Sequence, residues 1–273
     1  MGFVQMGFAA SQVLGLPIGL YLANHFGWHS PFFMIVGLSL IMVIIMLSYL
    51  QPVTEHLKIK VERNAFTHLF KTLSHPDYLL VFSTMVLIAT GGYMMMPFGS
   101  AFSVNNVGVK LDELPLLYMV TGIFSFGIAP LAGKFSDKIG KYNVFLIGTV
   151  LSIVMVVIYC HLGVTPLWII MAINVLLFAG IFSRIVPSSA LMTAIPGAHD
   201  RGAFMSINAS IPQFAGAIAS AAAGLIVVQM PDGKILHYDT LGYVVIAAMI
   251  ITAVMMYFIN QQVKKKIHST KPV

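Results

Sequence analysis

The sequence predicts an all-α polytopic membrane protein, and three observations carry that prediction. Hydrophobic residues make up 58% of the 273, and the mean hydropathy is +0.90. Charged residues are only 9%, where soluble domains carry about 25%. The apolar residues come in continuous runs of the roughly 20 residues that cross a bilayer, not in the two-residue alternation of a membrane β-barrel. A chain with so few polar groups cannot cover a globule with them, so its solvent is lipid.

Eight runs meet the length, over about 3–23, 30–50, 78–99, 114–132, 142–162, 166–192, 202–229 and 240–260. The first carries "GLPIG" with Gly15, Pro17 and Gly19; it lacks a basic lead-in and stays apolar too long for a cleavable signal. The second is free of charge. Residues 51–77 are the one long polar stretch before the tail. Within it Phe66, Leu69 and Phe70 are spaced for an amphipathic turn lying on the membrane surface, with a solvated linker as the alternative. Gly91, Gly92, Pro97 and Pro130 interrupt the third and fourth runs, as membrane helices tolerate when neighbours satisfy the freed backbone. The fifth holds the single cysteine, Cys160, which excludes an internal disulfide and a multi-cysteine metal site. Arg184 lies inside the sixth, followed by Ile185, Val186 and Pro187. The seventh, from Arg201, is rich in the small residues that let helices approach closely. Lys264, Lys265 and Lys266 follow the eighth.

Charge supplies the orientation. The formal charge of +6 and pI near 9.4 do not indicate nucleic acid, because the basic residues sit in short clusters between apolar runs rather than on one soluble face. On the eight-span topology, 13 of the 15 Lys and Arg fall on one side, leaving Lys110 and Lys234 on the other. That bias predicts a plasma (inner) membrane protein with both termini in the cytoplasm. Trp28 and Trp168 then lie at the outer interface, where indoles anchor.

Between the fourth and fifth runs stands "GKFSDKIGKY". Gly133, Asp137, Lys138, Gly140 and Lys141 resemble the signature loop of the major facilitator superfamily, Gly-x-x-x-Asp-Arg/Lys-x-Gly-Arg/Lys-Arg/Lys, with Tyr142 in place of the last basic residue. "GLPIG" resembles, with its proline shifted by one, the Gly-Pro-x-x-Gly motif of the fifth helix of antiporters in that superfamily. The stretch from Arg201 resembles the eleventh helix. The overall resemblance is to drug and sugar efflux permeases of the arabinose-efflux type.

That resemblance implies helices five to twelve of a twelve-helix fold, with the first four missing. Residues 1–50 would be the last two helices of the N-terminal half and 51–77 the cytoplasmic loop between halves. Residues 78–260 would be the six-helix C-terminal half, and 261–273 a basic cytoplasmic tail. It implies a secondary transporter exporting small molecules by alternating access, with the signature loop acting as a latch on conformation. Gly15, Pro17 and Gly19 would serve helix packing.

Polar residues within the runs are candidates for a substrate cavity: Tyr93, Asn174, Arg184, Asn208 and Gln213, with Met94, Met95 and Met96 as an adaptable wall. Against that stand interhelical hydrogen bonding for the amides and tyrosine, and snorkelling to the interface for Arg184. All nine acids fall in loops or at helix ends, so a carboxylate that couples transport to a proton would lie in the missing helices. The expected partners are the lipid bilayer, a small-molecule substrate and a coupling proton, without nucleic acid. The chain is read as no enzyme: its nine histidines are scattered at helix ends and loops and no Gly-x-Ser-x-Gly elbow occurs. No cofactor or metal is implied. The alternatives are a non-transporting eight-helix scaffold and an intramembrane enzyme.

Overall fold

The computed structural model describes residues 7, 11–49, 65–197 and 200–270. Among them are nine α-helices: α1 (Leu16–Phe26), α2 (Ser30–Tyr49), α3 (Ala65–Leu73), α4 (Pro76–Asn105), α5 (Leu114–Ile139), α6 (Lys141–Cys160), α7 (Leu167–Met192), α8 (Arg201–Ile226) and α9 (Tyr238–Thr270). A π-helical turn, Ser11–Gly15, precedes α1. It sits directly before Pro17, which has no N–H to give the preceding turn, and a wider winding is one way a helix adjusts there. A two-residue antiparallel pair, β1 (Val228–Gln229) with β2 (Ile235–Leu236), links α8 to α9.

Among the described residues, seven helices are long and apolar enough to cross a membrane: α2 and α4 to α9. The chain is an all-α polytopic membrane protein. The run predicted over 3–23 lies partly outside the described residues; its described part is the π-turn and α1. Proline in the first turn of α4 and of α5 presets the helical φ where no N–H partner is needed. The sequence places several ends too early, because charged residues look like loop. α5 runs on to Ile139 rather than 132, and α9 runs on to Thr270 rather than 260. The expected basic tail is therefore helical through Thr270. The linker expected over 51–77 contains α3, and α4 begins within it at Pro76; residues 50–64 lie outside the described residues.

Helices α4 to α9 form one unit, and its packing has a simple rule. The main contacts are α4 with α8 and α9, α7 with α5 and α6, and α6 with α9. Exchanging α4, α5, α6 for α7, α8, α9 maps this set onto itself, with the α6–α9 contact unchanged. Three is an odd number of crossings, so the second triplet runs opposite to the first. The unit is thus an inverted repeat of three helices. The π-turn and α1 pack outside this unit, against α5. α2 packs on α1 and, among the described residues, buries none of its own; a long helix that is apolar all round suits a membrane span.

Connections gather at two ends. At one, Thr165 N–H donates to Val107 O at 3.1 Å, and the Asn106 side chain exchanges two hydrogen bonds with the backbone of Ile235. At the other, Asp200 meets Tyr78 and His68, and Lys266 Nζ donates to Ile195 O at 2.6 Å. The charge divides with them. The described residues of the second end include eight cations (Lys71, Lys134, Lys138, Lys141, Arg201 and Lys264 to Lys266) against Asp77, Asp137 and Asp200. The first end has Lys110 and Lys234 against Asp112, Glu113, Asp232 and Asp239. One end is basic and the other acidic.

Candidate functional site

Two groups of polar side chains within the six-helix unit hold most of the sequence-derived candidates. Between α4 and α8, the Tyr93 ring lies over Gly216, where a Cβ would meet ring carbons at 2.7–2.8 Å. Only glycine admits the ring there. Tyr93 Oη donates to Gln213 Oε1 at 3.4 Å, and Ser220 Oγ donates to Tyr93 O at 3.0 Å. Asn208, earlier in α8, is buried, and its side-chain oxygen has no partner among the described residues.

The second group lies between α6, α7 and α9. Arg184 is 5% exposed although it stands eight residues, about 12 Å, from the end of α7. Its Nη2 donates to Thr252 Oγ1 at 3.1 Å, its guanidinium carbon lies 5.5 Å from the Phe145 ring centroid, and its Nε has no partner among the described residues. Beside it α6 and α7 touch backbone to backbone. A Cβ on Gly148 would fall 2.7 Å from Ser183 Cβ and 2.9 Å from Gly180 O, and one on Gly180 would strike Ser152. This contact brings α6 close enough for Phe145 to face the guanidinium. Burial of a cation against a ring and a hydroxyl, with no carboxylate beside it among the described residues, leaves its charge only partly compensated.

The structure therefore joins Tyr93 with Gln213 and sets Arg184 apart from them. Asn174 lies ten residues, about 15 Å, from Arg184 along α7, and its amide donates to its own helix at Ile170 O, 3.0 Å away. Thr252 and Phe145 are absent from the sequence-derived set; a lone Thr inside an apolar run was their only sign. Also missed were His68, Tyr78 and Asp200, where His68 Nε2 and Tyr78 Oη each lie 3.1 Å from a different Asp200 oxygen.

The stretch read as a signature loop is mostly helix. Gly133, Asp137 and Lys138 belong to the last turns of α5, Lys141 opens α6, and Gly140 alone makes the connection, at φ 98°. That conformation favours glycine. Asp137 is exposed and makes no hydrogen bond or ion pair among the described residues. In the first run, Gly15 and Gly19 have no close neighbour: a Cβ on Gly15 meets only Ser11 Cβ at 3.9 Å and one on Gly19 meets nothing within 4 Å. The Pro17 side chain lies outside the described residues.

Comparison with known proteins agrees with this architecture. The sequence model of a family described as Major Facilitator Superfamily matches residues 1–220. A Bacillus subtilis (strain 168) protein named "Uncharacterized MFS-type transporter YceJ" is 28% identical over 153 residues, covering 55% of this chain and 38% of its own. A second from the same organism, "Uncharacterized MFS-type transporter YbcL", is 27% identical over 243 residues, covering 89% of this chain and 60% of its own. The chain thus spans less than two thirds of the length of either relative.

Proposed function

The chain belongs to the major facilitator superfamily, and from that premise we propose that it is part of a secondary transporter that exports small molecules, drugs or sugars, by alternating access. The observation that carries the reading is the exchange symmetry of the six-helix unit. Inverted repeats of three helices are how each half of such a transporter is built. Packing of α1 on α5, outside the repeat, supports reading residues 1–50 as the end of the other half, with 51–77 as the connection, 78–260 as the second half and 261–273 as its tail.

The basic end, which holds α3 and the close of α9, is the cytoplasmic side in this reading, and the membrane is the plasma membrane. Tyr93 and Gln213, at the α4–α8 crossing, are the polar pair closest to a translocation path. Arg184 braces the second half from within. Gly133, Asp137, Lys138, Gly140 and Lys141 control conformation, and Gly15, Pro17 and Gly19 shape the helix that meets α5. If transport is proton-driven, the coupling carboxylate lies outside the spans of this chain, whose acids fall in loops or at helix ends.

Proteoliposomes test the proposal. The 273-residue chain is reconstituted alone, and also fused behind the leading helices of YbcL, with monodispersity confirmed for both. Saturable uptake of a labelled sugar or fluorescent drug against an imposed pH gradient is expected from the fusion only. Saturable uptake by the monomeric chain alone overturns the fragment reading. None from a monodisperse fusion favours a scaffold.

A further inference from the structure

We propose that α3 is a membrane-surface anchor that binds the headgroups of acidic phospholipids at the basic end of the bundle. The helix is two-sided. His68 and Thr72 face the protein: His68 reaches Asp200 at 3.1 Å, and Thr72 is 3% exposed, its hydroxyl donating to His68 O. Phe70 faces outward at 67% exposure, and Leu69 and Leu73, 43% and 38% exposed, line an open groove beside α4 and α8 with Val86 and Phe214. A surface helix in water would not present three large apolar side chains together; one lying in the headgroup layer buries them there.

Position and charge select the lipid. α3 ends at Leu73 and α4 begins at Pro76, so α3 is confined to the level where the spans begin. Asp200, which accepts from Tyr78 on α4 as well as meeting His68, fixes the protein-facing side of α3 to both α4 and the start of α8. The outward side is thereby held in one orientation. Lys71 is exposed within α3, and the same end of the bundle carries Lys134, Lys138, Lys141, Arg201 and the Lys264–Lys266 run. Its described acids are fewer: Asp200 is engaged by His68 and Tyr78, Asp77 lies near His75, and Asp137 sits at the end of α5. A basic rim of this kind draws acidic headgroups, each lysine near such a surface strengthening association about fivefold. A zwitterionic lipid offers the same apolar depth without that attraction.

The test uses the full chain, with Cys160→Ser and a fluorophore attached at Phe70→Cys, in phosphatidylcholine nanodiscs. Brominated phosphatidylglycerol or brominated phosphatidylcholine is added at equal mole fraction. Stronger quenching by the phosphatidylglycerol is expected, with the preference falling about fivefold in Lys71→Gln and shrinking in high salt. Equal quenching by the two lipids, or a preference that Lys71→Gln leaves untouched, overturns acidic-headgroup binding. Efficient quenching by aqueous iodide with none by either lipid overturns the anchor itself. Transport is not a readout, so the outcome is independent of the functional reading above.

Discussion

Arg184 and Thr252 meet at 3.1 Å inside the six-helix unit, a buried guanidinium answered by a neutral hydroxyl. Thr252 gives its own proton to Met249 O at 2.8 Å, which turns a lone pair toward the arginine. Thr252→Val should therefore cost about 1–3 kcal/mol, the penalty for depriving a buried donor. Arg184→Met should be close to neutral, since an apolar group of similar length replaces an incompletely compensated charge. In the Arg184→Met background the cost of Thr252→Val should vanish. Unfolding in mixed micelles across the double-mutant cycle checks it; an equal cost in both backgrounds would show that Thr252 acts through packing alone.

The α6–α7 contact predicts a sharp contrast between glycines. Gly148→Ala drives a Cβ against Ser183 and the backbone oxygen of Gly180, and overpacking of this kind costs about 1–3 kcal/mol. Gly127 is also helical, but a Cβ there meets nothing within 4 Å. Gly127→Ala should leave stability unchanged or raise it by about 0.5–1 kcal/mol, through lost freedom in the unfolded chain. Thermal melts of the two variants decide it. Similar losses in both would mean that the close crossing carries no constraint.

The spans are the part of the fold most legible in the sequence, because continuous apolarity is a one-dimensional signal. Their ends are less so: Lys134, Asp137 and Lys138 read as a loop, yet nothing in 133–139 stops a helix and only Gly140 does. Pairings are not legible. Arg184 and Thr252 are 68 residues apart, and α7 is apolar almost all round, so hydropathy cannot say which way Arg184 points. The same holds for Tyr93, whose place over Gly216 depends on the rotation of two helices. The small-residue composition of α8 announces close packing but not its partner.

Gly140 should resist every substitution by an L-residue. It joins α5 to α6 by itself at φ 98° and ψ 138°, a region essentially reserved for glycine. Gly140→Ala should cost about 1–3 kcal/mol, whereas Gly127→Ala, in the helix before it where a Cβ meets nothing within 4 Å, should cost much less. Proteolysis at the α5–α6 junction and thermal unfolding report both. Equal tolerance at the two positions would remove the single-residue connection.

The Tyr93–Gln213 pair separates binding from architecture. Gly216→Ala pushes the ring from its seat, as a Cβ there lies 2.7 Å from ring carbon, and breaks the 3.4 Å bond to Gln213. Gln213→Leu breaks the bond and leaves the seat intact. If the pair lines the translocation path, Gln213→Leu in the transporting assembly should raise KM with stability unchanged, and Gly216→Ala should lower both stability and transport. A Gln213→Leu variant with unaltered KM for every substrate transported would place the pair outside the path.

Asp137 stands in the last turn of α5, exposed and without a hydrogen bond or ion pair among the described residues, while Gly140 three residues on makes the tight connection to α6. A carboxylate at a helix C-terminus faces the negative end of the helix dipole. The conformation described here therefore gains nothing from that charge. A latch must favour one conformation over another, and it can do so only by contacts made in one and lost in the other. Asp137→Asn should leave the unfolding of this conformation unchanged. In the transporting assembly it should slow turnover and leave substrate affinity intact, because Asp137 lies at the basic end, away from the Tyr93–Gln213 crossing. Binding and uptake measured on the same preparation check it. Weakened affinity with normal turnover at saturation would end the latch reading, and so would marked destabilisation of the isolated chain.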